Sequence, residues 1–127
     1  MVVYEGYAMG ARGNNMFNLG ELGGVLHVEI WERGIDMLEV PPTTMKSVIA
    51  ENGRADKAQV IDALKQRFSL HIPQHDEADA VGLMLLGEMR QGQWRAQYEA
   101  LESTRRKALS SCKLHLGQLK SISQRLN

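Results

Sequence analysis

Two aspartates three positions apart, in Asp76-Glu-Ala-Asp79, open a stretch whose apolar spacing predicts a helix from near Asp76 to about Arg90. Residues at i and i+3 share a helical face, so both carboxylates can serve one site. A third acid, Glu5, follows Met-Val-Val-Tyr, an apolar run that reads as a short strand entering a loop at Gly6. In a crossover fold, an acid at the carboxyl end of a strand faces the edge where such sheets hold their ligands. Carboxylates brought together repel one another, and a bound divalent cation is the usual way to keep several ionised within a few ångströms. Ligands of oxygen alone point to Mg2+ or Mn2+. The ordinary alternative for the aspartate pair is a capping run, with Asp76 as N-cap and both charges favoured by the helix dipole.

Other side chains carry weaker signals. His75, beside Asp76, could move a proton or support a ligand, although a loop histidine before a helix is more often structural. His27, His71 and His115 show no ligand spacing. Trp94 and Tyr98 stand one turn apart and could stack on bases, or fill a core. The run Arg105-Arg106-Lys107 could follow a phosphate backbone, or form the wet face of a final helix.

The elements that must position these residues can be read from the pattern. After the glutamate strand, the loop 10–15 leads into a helix from Met16 to Glu32, with Gly20, Gly23 and Gly24 inside it. Glycine costs roughly 1 kcal/mol in a helix interior relative to alanine, so three together predict another backbone packed close to that face. Ile35 to Val40 reads as a second strand, stopped by Pro41-Pro42, which disfavour further regular structure. Strand, helix, strand is a parallel crossover unit. A loop at 52–56 enters a helix carrying Val60, Ile61, Leu64 and Phe68. From Gln93 to Leu126 there is no proline, one glycine and a 3-4 apolar spacing, which predicts one long helix of about 50 Å at 1.5 Å per residue.

The chain of 127 residues, 43% hydrophobic and 24% charged, suits a single hydrophobic core. One cysteine, Cys112, excludes an intramolecular disulfide. Without a secretory leader or an apolar run of about 18 residues, a cytoplasmic protein with no membrane association is expected. The zero net charge conceals an asymmetry: residues 1–91 hold 8 Lys/Arg against 13 Asp/Glu, and residues 92–127 hold 7 against 2. An acidic metal-binding body with a basic arm for a polyanion fits this, and so does a tail docked on its own acidic body.

Over about positions 1–91 the motifs resemble the RuvC-type Holliday-junction resolvases of the ribonuclease-H-like superfamily, in a phage or prophage form. Val-Val-Tyr-Glu5-Gly is similar to the strand that ends in that family's catalytic glutamate. The stretch 42–60, with Lys46 and Lys57 flanking Asn52-Gly-Arg, resembles the segment in which two lysines flank a glycine-containing loop. Asp76-Glu-Ala-Asp79-Ala is similar to the closing Asp-x-x-Asp-Ala motif.

The resemblance implies a metal-dependent endonuclease acting on branched DNA, in which four carboxylates hold two Mg2+ (or Mn2+) ions in a homodimer. Glu5, Asp76 and Asp79 would be metal ligands and catalytic residues. Lys57 would join them in catalysis, Lys46 and Lys57 would contact DNA, and Arg105, Arg106 and Lys107 would extend that contact. The family's leading aspartate strand has no counterpart here, which implies a form shortened at its N-terminus that cleaves poorly. The rival is a catalytically dead ribonuclease-H-like module acting in DNA binding or dimeric protein interaction.

The expected fold is therefore α/β: a partial ribonuclease-H-like domain over 1–91, with two short parallel strands and several helices, then a basic C-terminal helix over 92–127. Two parallel strands have exposed edges and little independent stability. The C-terminal helix folding back over the sheet could cover them, but a partner chain, joined through the glycine-bearing helix or the C-terminal helix, is the cover expected.

Overall fold

The computed structural model describes residues 1–6 and 14–118. Strand β1 (Val2–Glu5) leads to helix α1 (Asn14–Glu32) and strand β2 (Met37–Val40). These two strands pair in parallel, with Val3 opposite Leu38 and Glu5 opposite Val40. Their shared carboxyl edge is closed by the Gly6 N–H, which donates to the Val40 carbonyl at 2.8 Å.

Helix α2 (Pro42–Ala50) begins where the proline pair predicted irregular chain. Pro41 is extended (φ −61°, ψ 143°) and Pro42 takes the first helical position. There its missing N–H costs nothing and its ring pre-sets φ. At the other end the left-handed Glu51 (φ 56°) stops the helix. Arg67 donates there to the Val48 carbonyl at 2.7 Å and to that of Ile49, and Arg105 donates to the Glu51 carbonyl. Burial pulls the Arg67 guanidinium below its ordinary range, Glu51 raises it and Arg105 lowers it further.

Helix α3 (Lys57–Phe68) starts from a reciprocal capping box in which the Asp56 side chain accepts from Gln59 N–H and the Gln59 side chain accepts from Asp56 N–H. Helix α4 (His75–Arg90) packs close to its neighbours through two glycines. A Cβ on Gly87 would stand 2.5 Å from Val3 Cγ2, and one on Gly82 would stand 2.8 Å from Met45 Sδ. The core is built from Leu38 and Val40 of β2, Val48 and Ile49 of α2, Leu64 of α3, and Leu85 and Leu86 of α4. Each fully buried Leu or Ile contributes roughly 1.5–3 kcal/mol of transfer free energy.

The single long helix expected from Gln93 to Leu126 is not formed over the described residues; 119–126 lie outside them. Gly92 (φ 89°) and Trp94 (φ 54°) turn left-handed, so only the short α5 (Arg95–Glu99) follows. The chain then buries Leu101 and restarts as α6 (Ser103–Ser110). Arg90 ends α6 by donating to the carbonyls of Leu109, Ser110 and Cys112 at 2.9, 3.1 and 3.2 Å. Ser110 and Ser111 hydroxyls also donate to carbonyls four residues back, bonds that favour helix ends.

A third strand, β3 (Lys113–His115), then pairs antiparallel with β2, where only two strands were expected. The open edge of β2 supplies the unpaired donors and acceptors that draw it in. Beyond it, Gly117 crosses so close to the Gly34–Ile35 backbone that no Cβ would fit. Its N–H donates to Asp36 Oδ1 at 2.9 Å, and the Gln118 N–H to the Trp31 carbonyl at 2.8 Å. Leu101, Leu109 and Cys112 join the same core as the preceding residues. Burial pushes the Cys112 thiol up in pKa, with Arg90 opposing.

Helix α1 behaves differently. Leu22, Val25, Leu26, Val28 and Trp31 are all exposed, and a Cβ on Gly24 would meet nothing within 4 Å. The close backbone contact expected from the glycines is therefore not made at Gly24 among the described residues. No described helix is long and apolar enough to cross a membrane.

Candidate metal centre

Glu5 is the last residue of β1 and is exposed at the sheet's carboxyl edge. Because Val3 packs against Gly87, strand alternation sends Glu5 toward the face that α4 covers. Gly87 lies on Val3, whereas Gly82 lies on Met45, in the first turn of the helix that leaves the carboxyl edge. Helix α4 therefore runs back along the sheet, with its amino-terminal turns on the side where β1 and β2 end.

Those turns carry Asp76, exposed, and Asp79, half-buried. Asp76 is not the N-cap: Gln74 holds that position and makes no side-chain capping bond. Among the described residues, neither aspartate nor Glu5 has a hydrogen-bond or ion-pair partner. Two uncompensated carboxylates on one helical face, near a helix amino terminus, have the donor chemistry of a hard cation. Among the described residues, however, no three His, Cys, Asp or Glu side chains gather closely enough to hold one ion. The donor chemistry fits Mg2+ or Mn2+, while a closed three-carboxylate cage is not formed among the described residues.

Lys46 lies on α2, half-buried, and Lys57 is the exposed first residue of α3. Neither is in an ion pair among the described residues, so both ammonium groups remain available to an anion. The basic run of the tail is divided. Arg105 is turned inward onto Glu51 and Glu102, the latter at 3.1 Å, and Arg106 donates to the Glu99 carbonyl at 3.3 Å, while Lys107 is exposed. His75 is the exposed first residue of α4. Trp94 is half-buried against the core: its indole N–H donates to Glu88 and its ring meets Phe68 edge-on at 5.4 Å, with Tyr98 half-buried nearby.

Sequence reasoning passed over Glu39. It interrupts the apolar strand Met37-Leu-Glu-Val40, and an acid within an otherwise apolar strand was the available signal. The Tyr4 hydroxyl donates to Glu39 Oε2 at 3.3 Å, and His115 Nε2 stands 3.2 Å from the same oxygen.

The family profile described as "Crossover junction endodeoxyribonuclease RuvC" matches residues 3–86. That segment contains Glu5, Lys46, Lys57, Asp76 and Asp79, and excludes Arg105, Arg106 and Lys107. Among curated relatives, a crossover junction endodeoxyribonuclease RuvC from Synechococcus sp. (strain WH7803) is 31% identical over 78 residues, covering 60% of this chain and 51% of that protein. The protein of the same name from Protochlamydia amoebophila (strain UWE25) is 30% identical over 100 residues, covering 77% of this chain and 60% of its own length. The one from Shewanella frigidimarina (strain NCIMB 400) is 33% identical over 78 residues, covering 61% of this chain and 45% of its own length. The chain thus spans about half the length of the curated relatives it matches. No solved structure matches it significantly. With the family match extending over well over half of its residues, the chain belongs to the RuvC family of crossover junction endodeoxyribonucleases.

Proposed function

We propose that this chain carries a divalent-metal site of a structure-selective endodeoxyribonuclease acting on branched DNA, of phage or prophage type. The observation that carries the reading is the family match over 3–86, which takes in Glu5, Asp76 and Asp79 together. The fold supports it by setting the amino-terminal turns of α4 on the side where β1 ends, with all three acids unneutralised among the described residues.

In this reading Glu5, Asp76 and Asp79 hold Mg2+ or Mn2+, which when bound supplies Lewis acidity for phosphodiester hydrolysis. The chain's own groups do the positioning. Lys57, at the start of α3, offsets developing negative charge on a phosphate, and Lys46 holds the backbone beside it. Of the tail, Lys107 is free to add a phosphate contact; Arg105 and Arg106 would have to leave their carbonyl partners to do so. The exposed apolar residues of α1 support a homodimer joined through that helix, since so much apolar surface on one helix calls for a partner.

A four-way DNA junction tests this reading directly. The purified protein is expected to retard the junction in millimolar Mg2+ at low salt and to cleave it poorly. No binding at low salt defeats the nucleic-acid reading, and efficient cleavage defeats the expectation of weak activity. The second reading, a module that has lost catalysis and keeps DNA binding or dimerisation, is favoured by the absence of a closed carboxylate cage among the described residues. Failure to bind Mn2+ would select it.

A further inference from the structure

The carboxylate of Glu39 touches Tyr4 and fills the space beside Gly6, the two chain neighbours of Glu5. Its Oε2 accepts from the Tyr4 hydroxyl at 3.3 Å, and its Oε1 lies where a Cβ on Gly6 would come within 3.1 Å. The same Oε2 stands 3.2 Å from His115 Nε2, an ion pair whenever the imidazole is protonated. Glu39 thereby joins β1, β2 and β3. Its side chain is 32% exposed, against 45% for His115, so water competes only partly for the carboxylate. Tyr4 is held from another direction by His27, whose ring centroid lies 4.5 Å away. Lys113, opposite Glu39 in the register, adds a positive charge from β3.

Strand alternation divides these groups between two faces. Val3 and Glu5 take the face covered by α4, and Tyr4 and Gly6 take the other, where Glu39 lies. Among the described residues, the last bond of the β1–β2 ladder runs from the Gly6 N–H to the Val40 carbonyl. A short strand end frays unless side chains hold it.

We propose that Glu39 is a positioning residue for Glu5: its carboxylate, held between Tyr4 and His115, fixes the carboxyl end of β1 from the far face of the sheet. The proposal rests on the reading of Glu5 as a metal ligand. It also ties that ligand to the tail, because His115 lies outside the matched segment 3–86.

The test combines amide exchange at Gly6 with Mn2+ binding, followed by loss of the free-ion resonance signal, in the full chain and in Glu39→Ala, Glu39→Gln and His115→Ala. In Glu39→Ala, Gly6 exchange is expected to speed up about fivefold relative to the Leu85 amide, as for the loss of one hydrogen bond. Mn2+ affinity is expected to fall about tenfold, the usual effect of removing a group that orients a ligand. Glu39→Gln, which keeps an acceptor for Tyr4, restores most of both, and His115→Ala falls between.

Unchanged Gly6 exchange in Glu39→Ala overturns the proposal whatever the metal does. Faster exchange with unchanged Mn2+ affinity overturns the positioning role and leaves a clamp alone. Wild-type protein that takes no Mn2+ overturns the metal reading, and the exchange data then decide by themselves whether Glu39 fixes the strand end.

Discussion

Helices α1 and α4 are the two longest in the chain, both carry glycines, and they meet the structure in opposite ways. Helix α4 uses Gly82 and Gly87 to approach Met45 and Val3, and it buries Ala78, Leu85, Leu86 and Met89. Among the described residues, helix α1 leaves Gly24 facing open space, and Leu22, Val25, Leu26, Val28 and Trp31 stay exposed. Glycine in a helix therefore signals close approach only when something approaches. In α4 the approaching element is in the same chain; for α1 we propose that it is a second copy.

The largest effect that could break this comparison is in α4. Leu85→Ala removes a fully buried side chain and is expected to lower unfolding stability by about 3 kcal/mol, read by denaturant titration. A loss below about 1 kcal/mol would show that α4 packs far less tightly than described.

Next come the paired glycine substitutions. Gly87→Ala drives a methyl into Val3, a stiff β-branched neighbour, and should cost about 2 kcal/mol. Gly24→Ala meets nothing and should raise helix stability by up to about 1 kcal/mol. Equal signs for the two, in thermal melts at a concentration where the chain is monomeric, would erase the contrast.

The smallest effect on stability should come from Leu26→Asp on the exposed face of α1. It is expected to change unfolding stability by no more than about 0.5 kcal/mol while shifting sedimentation toward monomer. A wild-type chain that sediments as a monomer at all concentrations would remove the proposed partner from α1.

Much of this architecture could be read from residue order. Period-two and period-3.6 spacing placed β1, β2, α3 and α4, because their apolar faces meet one core. Helix α2 escaped, since Pro41-Pro42 looks like a stop and is a start; the outcome depends on one residue being extended and the next helical. The tail escaped for a longer-range reason. Its apolar stripe runs on with interruptions at Arg105 and His115, but Arg90, some 20 residues earlier, caps α6, and the open edge of β2 recruits β3. Local periodicity carries no record of either.

The candidate site divides in the same way. Asp76 and Asp79 share a helix, so spacing alone brought them together, and Glu5 could be placed by strand alternation. Glu39 and His115 are 76 positions apart and become neighbours only through the register of β3 on β2. No spacing rule reaches that far.

The arginine caps bear on how such a tail would respond to salt. Arg105 and Arg106 direct N–H donors at carbonyl oxygens of their own fold, and only Arg95, Lys107 and Lys113 stand exposed on the described tail. A polyanion laid along those described residues would displace fewer counterions than their formal charge suggests, so its hold would weaken less steeply as ionic strength rises.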